Sequence, residues 1–162
     1  MESDSATSLG LWAASIEQAW GITIGFTDGG AFVLETAAGA NVGIEPVPER
    51  RALVLTAELG EVDENSPLSL YQALLAVNLS PVLTGTGCIG IEPQSRKILL
   101  RLTWAPEEAH WQEESFLQML AAFGSHADQL GLAIASGEIE SVLVPAAEPS
   151  SEMRPSADAS YA

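Results

Sequence analysis

Few side chains in this sequence have the type and spacing that chemistry needs. His110, His126 and Asp128 are the acid–base or ligand candidates, and the sequence holds only two histidines. His126 and Asp128 lie two residues apart, a spacing that does not share one helical face. Neither belongs to an H-E-x-x-H pattern, and no second cysteine or further histidine completes a metal set. A small hydrolase or isomerase using His126 and Asp128 would lack a nucleophile–base pair. Cys88 is the single cysteine. With no His or Lys close by in sequence it reads as an inert small residue. Gly85-Thr86-Gly87-Cys88-Ile89-Gly90 spells G-x-G-x-x-G. A dinucleotide site needs that turn between a strand and a helix, so that the helix N-terminus meets the pyrophosphate. Here the motif follows a helix and enters a strand, and its glycines read as easing the chain into a hairpin. Asn78-Leu79-Ser80 matches a glycosylation triplet but has no secretion signal beside it. The chemistry candidates are sparse, so the elements around them carry the function.

The densest of those elements is the stretch Ser66 to Trp104. Ser66-Pro67 reads as a cap followed by proline at the first helical position. The helix should end near Ser80, because Pro81 cannot continue it. At 100° per residue, Leu68, Leu70, Tyr71, Leu74, Leu75, Val77 and Leu79 cover almost the whole circumference. Only Ser69, Gln72 and Ala76 leave a polar strip. Such a helix must be covered on two sides, and it is too short to cross a bilayer, which takes ~20 residues. One side suits a sheet; the other calls for a second layer or a second subunit. Cys88 to Glu92 then alternates. Pro93-Gln94-Ser95 turns the chain, and Ile98, Leu100, Leu102 and Trp104 line one face of the return strand.

Around this unit the chain reads in order. Thr7 or Ser8 caps a first helix with Leu9, Trp12, Ala13, Ile16 and Trp20 as its stripe, ended by Gly21. Trp12 and Trp20 are expected in the core. Ile22 and Ile24 alternate before the turn Asp28-Gly29-Gly30. Strands are expected over Ala31 to Thr36, Asn41 to Glu45 and Ala52 to Ala57, with short links that suit an antiparallel meander. A last helix begins near Glu107 or Gln112 and reaches about Ser136. Acids at its start complement the dipole, and Trp111 among them is expected to be exposed. Its stripe is Phe116, Met119, Leu120, Phe123, Ala127, Leu130 and Ile134. The expected fold is a single small α+β domain of order α-β-β-β-α-β-β-α over 7–144. Residues 1–6 read as a disordered N-terminus and 145–162 as a disordered acidic tail.

Composition excludes several classes of partner. Hydrophobic residues make up 47% and charged residues 17% of 162 residues, enough for one packed domain. The net charge is −16, from 22 acids against 6 bases. Binding to nucleic acid or to an anionic membrane would need clustered Lys and Arg. The acidic start MESDSATS is unlike a secretory or transit peptide, and the expected location is the cytoplasm.

With the order of elements in hand, the chain resembles the class I type III secretion chaperones, the Tir-chaperone (CesT-like) family. Leu74-Leu75-Ala76-Val77-Asn78-Leu79 is similar to the family's leucine-leucine-x-x-asparagine helix, and Gly87-Cys88-Ile89-Gly90-Ile91-Glu92 to its glycine-flanked strand. Lys97 to Leu102 resembles the return strand, Phe116 to Phe123 with Ala127-Asp128 the last helix, and Leu53 to Gly60 the strand and loop before the central helix. The resemblance covers roughly 7–136, and the tail and the Gly-rich approach to the first strand depart from it. It implies a homodimer in the bacterial cytoplasm, without catalysis or cofactor. Such a dimer holds the N-terminal region of secreted effectors extended and secretion-competent, and the ATPase of the secretion apparatus is a further implied partner. The central helix would join the dimer through Leu68, Tyr71, Leu74, Leu75 and Asn78. The effector groove, by analogy, would lie near Ile22, Ile24, Phe32, Leu34, Val42 and Ile44. An adaptor domain of the same fold, unconnected to secretion, is the alternative.

Overall fold

The computed structural model describes residues 5–143, and the 145–162 tail and residues 1–4 lie outside the described residues. Helix α1 spans Ser5–Trp20, followed by strands β1 (Phe32–Glu35), β2 (Asn41–Pro46) and β3 (Leu53–Glu61). Helices α2 (Leu68–Val77) and α3 (Pro81–Thr84) lead into β4 (Cys88–Ile91) and β5 (Lys97–Trp104). A 3-10 turn, Glu108–His110, precedes helix α4 (Glu113–Ala135), and a second 3-10 turn covers Ser141–Leu143. The α+β order expected from the sequence is present, with α3 and the two 3-10 turns added.

The strands form one antiparallel sheet of order β1-β2-β3-β5-β4. Period-two alternation splits it into two faces. Phe32, Leu34, Val42, Ile44, Leu53, Leu55, Ala57, Ile98 and Leu100 point inward and are buried. Val33, Glu45, Glu58 and Arg101 point outward. The register shifts between Glu58 and Gly60, where β3 bulges. Gly60 has φ +156, and a Cβ there would lie 3.2 Å from Ile134 Cγ2, so α4 crosses the bulge on bare backbone.

Helix α4 lays Phe116, Leu120, Phe123, Ala127 and Leu130 across the inner face. Helix α1 adds Leu9, Trp12, Ala13 and Ile16. Its described part already includes Ser5, ahead of the expected cap at Thr7 or Ser8, and the buried Ser5 hydroxyl donates to the Val47 carbonyl at 2.8 Å. Trp12, Trp104, Trp111 and Phe116 pack as one aromatic group with neighbouring centroids 5.0 to 6.2 Å apart. Trp111 is therefore half-buried rather than exposed, and its indole N–H donates to Ser8 Oγ at 3.0 Å. Trp20, expected in the core, is instead 57% exposed, because the buried stripe of α1 ends at Ile16 and nothing among the described residues covers its last turn.

The Ser66-Pro67 start also differs from expectation. Pro67 is the N-cap and α2 begins at Leu68. Ser66 Oγ instead accepts the Asp63 amide at 2.9 Å and closes the preceding turn. Helix α2 ends at Val77, and Pro81 opens the separate helix α3 at a position where a missing N–H costs nothing. Gly85 ends α3 in the left-handed region, φ +58, with its amide donating to the Pro81 carbonyl at 2.8 Å. A Cβ on Gly85 would sit 2.7 Å from the His126 ring. The G-x-G-x-x-G stretch is thus a helix cap and strand entry.

Candidate functional site

The acid–base candidates are not assembled. His110 is exposed at the end of a 3-10 turn. His126 faces Gly85 and α3, whereas Asp128 accepts a hydrogen bond from Thr36 Oγ1 at the end of β1. Two residues on a helix are separated by about 200°, so the pair diverges. Among the described residues no group of His, Cys, Asp and Glu could hold a metal ion. Cys88 is exposed on β4, in register with Arg101 of β5. On the outer face of the sheet Lys97 donates to Glu58 at 2.5 Å. That hydrogen bond, with the nearby charges of Glu58, Glu92 and Glu61, holds the Lys97 ammonium above its ordinary pKa.

Two apolar surfaces stand out instead. The first is a groove of about 650 Å³ between α1, α4 and the β1–β2 end of the sheet. Leu34 and Val42 form its floor, and Ile16, Ala19 and Trp20 form the α1 wall. The α4 wall runs from Glu113 through Leu117, Leu120, Gly124 and Asp128 to Leu132. These positions recur every three or four residues, so α4 carries two stripes: one buried against the sheet, one lining the groove. The trough follows α4 for about 28 Å, from 19 steps of 1.5 Å between Glu113 and Leu132. Trp20 is 57% and Leu132 63% exposed at its rim.

The second surface is the outer side of α2 and α3. Leu68, Leu75, Leu79 and Val82 are 71%, 69%, 86% and 82% exposed. No residue from Ser66 to Ile91 carries a charge. A run of large exposed apolar side chains with no charge among them marks an interaction site.

The residues singled out by sequence divide between these surfaces and the core. Leu34 and Val42 line the groove. Ile24, Phe32 and Ile44 are 7%, 2% and 0% exposed and stand behind it in the core, while Ile22 is 40% exposed but does not line it. On α2, Leu68 and Leu75 face outward and Tyr71 is half-buried. Leu74 is 4% exposed and packs on the core. Asn78 points to the sheet: its Oδ1 accepts the Ile89 amide at 2.6 Å, and its Nδ2 donates to the Ile89 carbonyl at 3.0 Å. Both outward backbone groups of Ile89 on the edge strand β4 are thereby taken. The other edge, β1, has no strand beside it among the described residues. Sequence reasoning missed Trp20, Leu117 and Leu132 as groove residues; the second stripe of α4 was the available signal.

Comparison with known proteins follows this geometry. Among curated proteins none matches by sequence. Among solved structures, a chain in the crystal structure of the ExsC–ExsE complex superposes with a TM-score of 0.66 at 18% identity, covering 80% of this chain and 95% of that one. A chain of the HopA1–SchA chaperone–effector complex gives 0.61 at 16% identity, covering 80% and 97%. A chain of the heterodimeric ExoU–SpcU complex from the type III secretion system of Pseudomonas aeruginosa gives 0.53 at 19% identity, covering 75% and 93%. At such identities the likeness is one of fold. Residues 12–131 match the family described as Tir chaperone protein (CesT) family. The chain belongs to that family.

Proposed function

We propose that this protein is a type III secretion chaperone. It binds the N-terminal region of one or more effectors and keeps it soluble and secretion-competent for delivery to the secretion apparatus. The observation that carries this reading is the long apolar groove between α1, α4 and the β1–β2 floor, on a chain of chaperone family and fold. The solved complexes with effectors support it by analogy. Trp20, Leu34, Val42, Leu117, Leu120 and Leu132 receive client side chains. Ile24, Phe32 and Ile44 support the floor from behind. The open outer edge of β1 offers backbone pairing to an extended client segment next to the groove. The protein works without catalysis, as a cytoplasmic homodimer joined through Leu68, Leu75, Leu79 and Val82, with the secretion ATPase as a further partner. No helix among the described residues is long and apolar enough to cross a membrane.

Charge supports the choice of dimer surface. Two chains of net charge −16 repel each other, least where neither presents a carboxylate. The stretch from Ser66 to Ile91 meets that condition. The test is coexpression with candidate effectors, full length and lacking roughly the first hundred residues, a cut-off that follows the family resemblance. Full-length effector should copurify and truncated effector should not. Equal retention of both, or of neither, overturns the assignment.

A further inference from the structure

The groove is mainly apolar and carries carboxylates at two separated positions along α4. Glu113 lines one end, where Ser15 Oγ donates to its Oε2 at 3.2 Å. Asp128 lines it one turn short of the Leu132 end, fixed by the Thr36 hydroxyl, with Glu35 of β1 beside Thr36 in sequence. The described basic residues, Arg50, Arg51, Arg96, Lys97 and Arg101, are all absent from the lining. Arg51 pairs with Glu108 and Lys97 with Glu58, both outside it. The two acidic positions are separated by 15 residues of α4, about 22 Å.

The walls also constrain the backbone of an occupant. Along α1 and α4 the main-chain groups are already satisfied within each helix, so those walls offer no partner to an extended chain. A helical occupant satisfies its own backbone and presents side chains at the spacing of the α4 wall. We infer that the groove selects an amphipathic helical segment of the effector whose apolar face is bracketed by two basic residues about fifteen positions apart, one for Glu113 and one for Asp128 and Glu35. This rests on the groove being the effector site. The acids sort clients rather than supply most of the affinity, because rim charges act mainly on choice of partner and on encounter. The same acids exclude the acidic surface of a second copy of this chain, which leaves α2 and α3 to make the dimer.

The probe is a set of three tryptophan-free helical peptides of about twenty residues, with the same leucine face. They differ only at two positions about fifteen residues apart, which carry lysine, glutamine or glutamate. Binding to the full chain is read by calorimetry and by the part of the tryptophan emission change that Trp20→Phe removes, Trp20 being the one of four tryptophans that lines the groove. At low salt the lysine peptide should bind about three- to ten-fold tighter than the glutamine peptide, and the glutamate peptide weaker still. The preference should fade at about 0.5 M salt. A triple variant, Glu35→Gln, Glu113→Gln and Asp128→Asn, keeps acceptors for Ser15 and Thr36. It should lose the lysine preference and retain glutamine-peptide binding. Equal affinities for the lysine and glutamine peptides, or an unchanged preference in the triple variant, overturn the charge inference and leave the groove reading standing. No heat and no Trp20 response with any peptide overturns the groove reading itself.

Discussion

The two uncovered apolar surfaces differ in shape and in charge. The groove is concave, floored by strands and walled by helices, with carboxylates at two separated positions along α4. The α2–α3 face is convex, a ridge of Leu68, Leu75, Leu79 and Val82 within an uncharged stretch. Concave surface admits a segment that inserts side chains; convex surface needs a complementary neighbour, which in the proposed dimer is a two-fold related copy. Burial alone would treat the two alike. Shape and carboxylate placement are the grounds on which the proposed client site and the proposed self-association site are told apart on one small domain.

The strongest way to break this division is Leu75→Glu. Leu75 is 69% exposed in the single chain, so its replacement should leave the circular dichroism unchanged. In a two-fold contact it removes two buried leucines, each worth ~1.5–3 kcal/mol, and weakens the dimer by at least about a hundred-fold. Light scattering should then give one chain mass at micromolar concentration; a persistent dimer would move the self-association surface elsewhere. Next in size, Trp20→Ala with Leu132→Ala should weaken client capture by about thirty- to several-hundred-fold, at about 1–2 kcal/mol per truncated anchor. The dimer mass should not change. If it falls, the two surfaces are one.

Asn78→Ala sharpens the comparison from the other side. It leaves the outward groups of Ile89 without their partner, so stability in urea should drop by about 1–3 kcal/mol and the Ile89 amide should exchange faster. An unchanged exchange rate would mean that Asn78 does not hold that edge. The smallest effect is expected from His110→Ala with His126→Ala. Client capture should be unaffected and stability should change by less than about 1 kcal/mol. A turnover lost with those histidines would restore the hydrolase alternative.

The sequence carried the order of elements, because each has a period that only one secondary structure satisfies. Phe32 with Leu34 and Val42 with Ile44 alternate as strands, and Leu9, Trp12, Ala13 and Ile16 repeat as a helix stripe. Periodicity identifies a face but not what covers it. Trp20 continues the α1 stripe, yet it stands exposed on the groove wall; Trp111 sits among acids, yet Trp12 and Trp104 enclose it. The candidate groove was legible only in Leu34 and Val42. Its α4 wall mixes Glu113, Leu117, Ser125, Asp128 and Leu132, a stripe too polar to stand out against the buried one. Asn78 belonged to a helix by position, and only three-dimensional proximity reveals that its amide serves a strand 11 residues away.

That amide sets the valence of the sheet. A strand edge with free donors and acceptors is a template, and a protein that handles unfolded segments is exposed to templating at every encounter. With β4 only four residues long and Ile89 already engaged, too little of that margin remains to start a ladder. Under the proposed strand addition, growth is confined to the β1 margin, so each chain would accept one added strand and pass none on. The proposed pair of chains would then be a two-valent acceptor with two dead ends, onto which client segments are counted rather than polymerised through it.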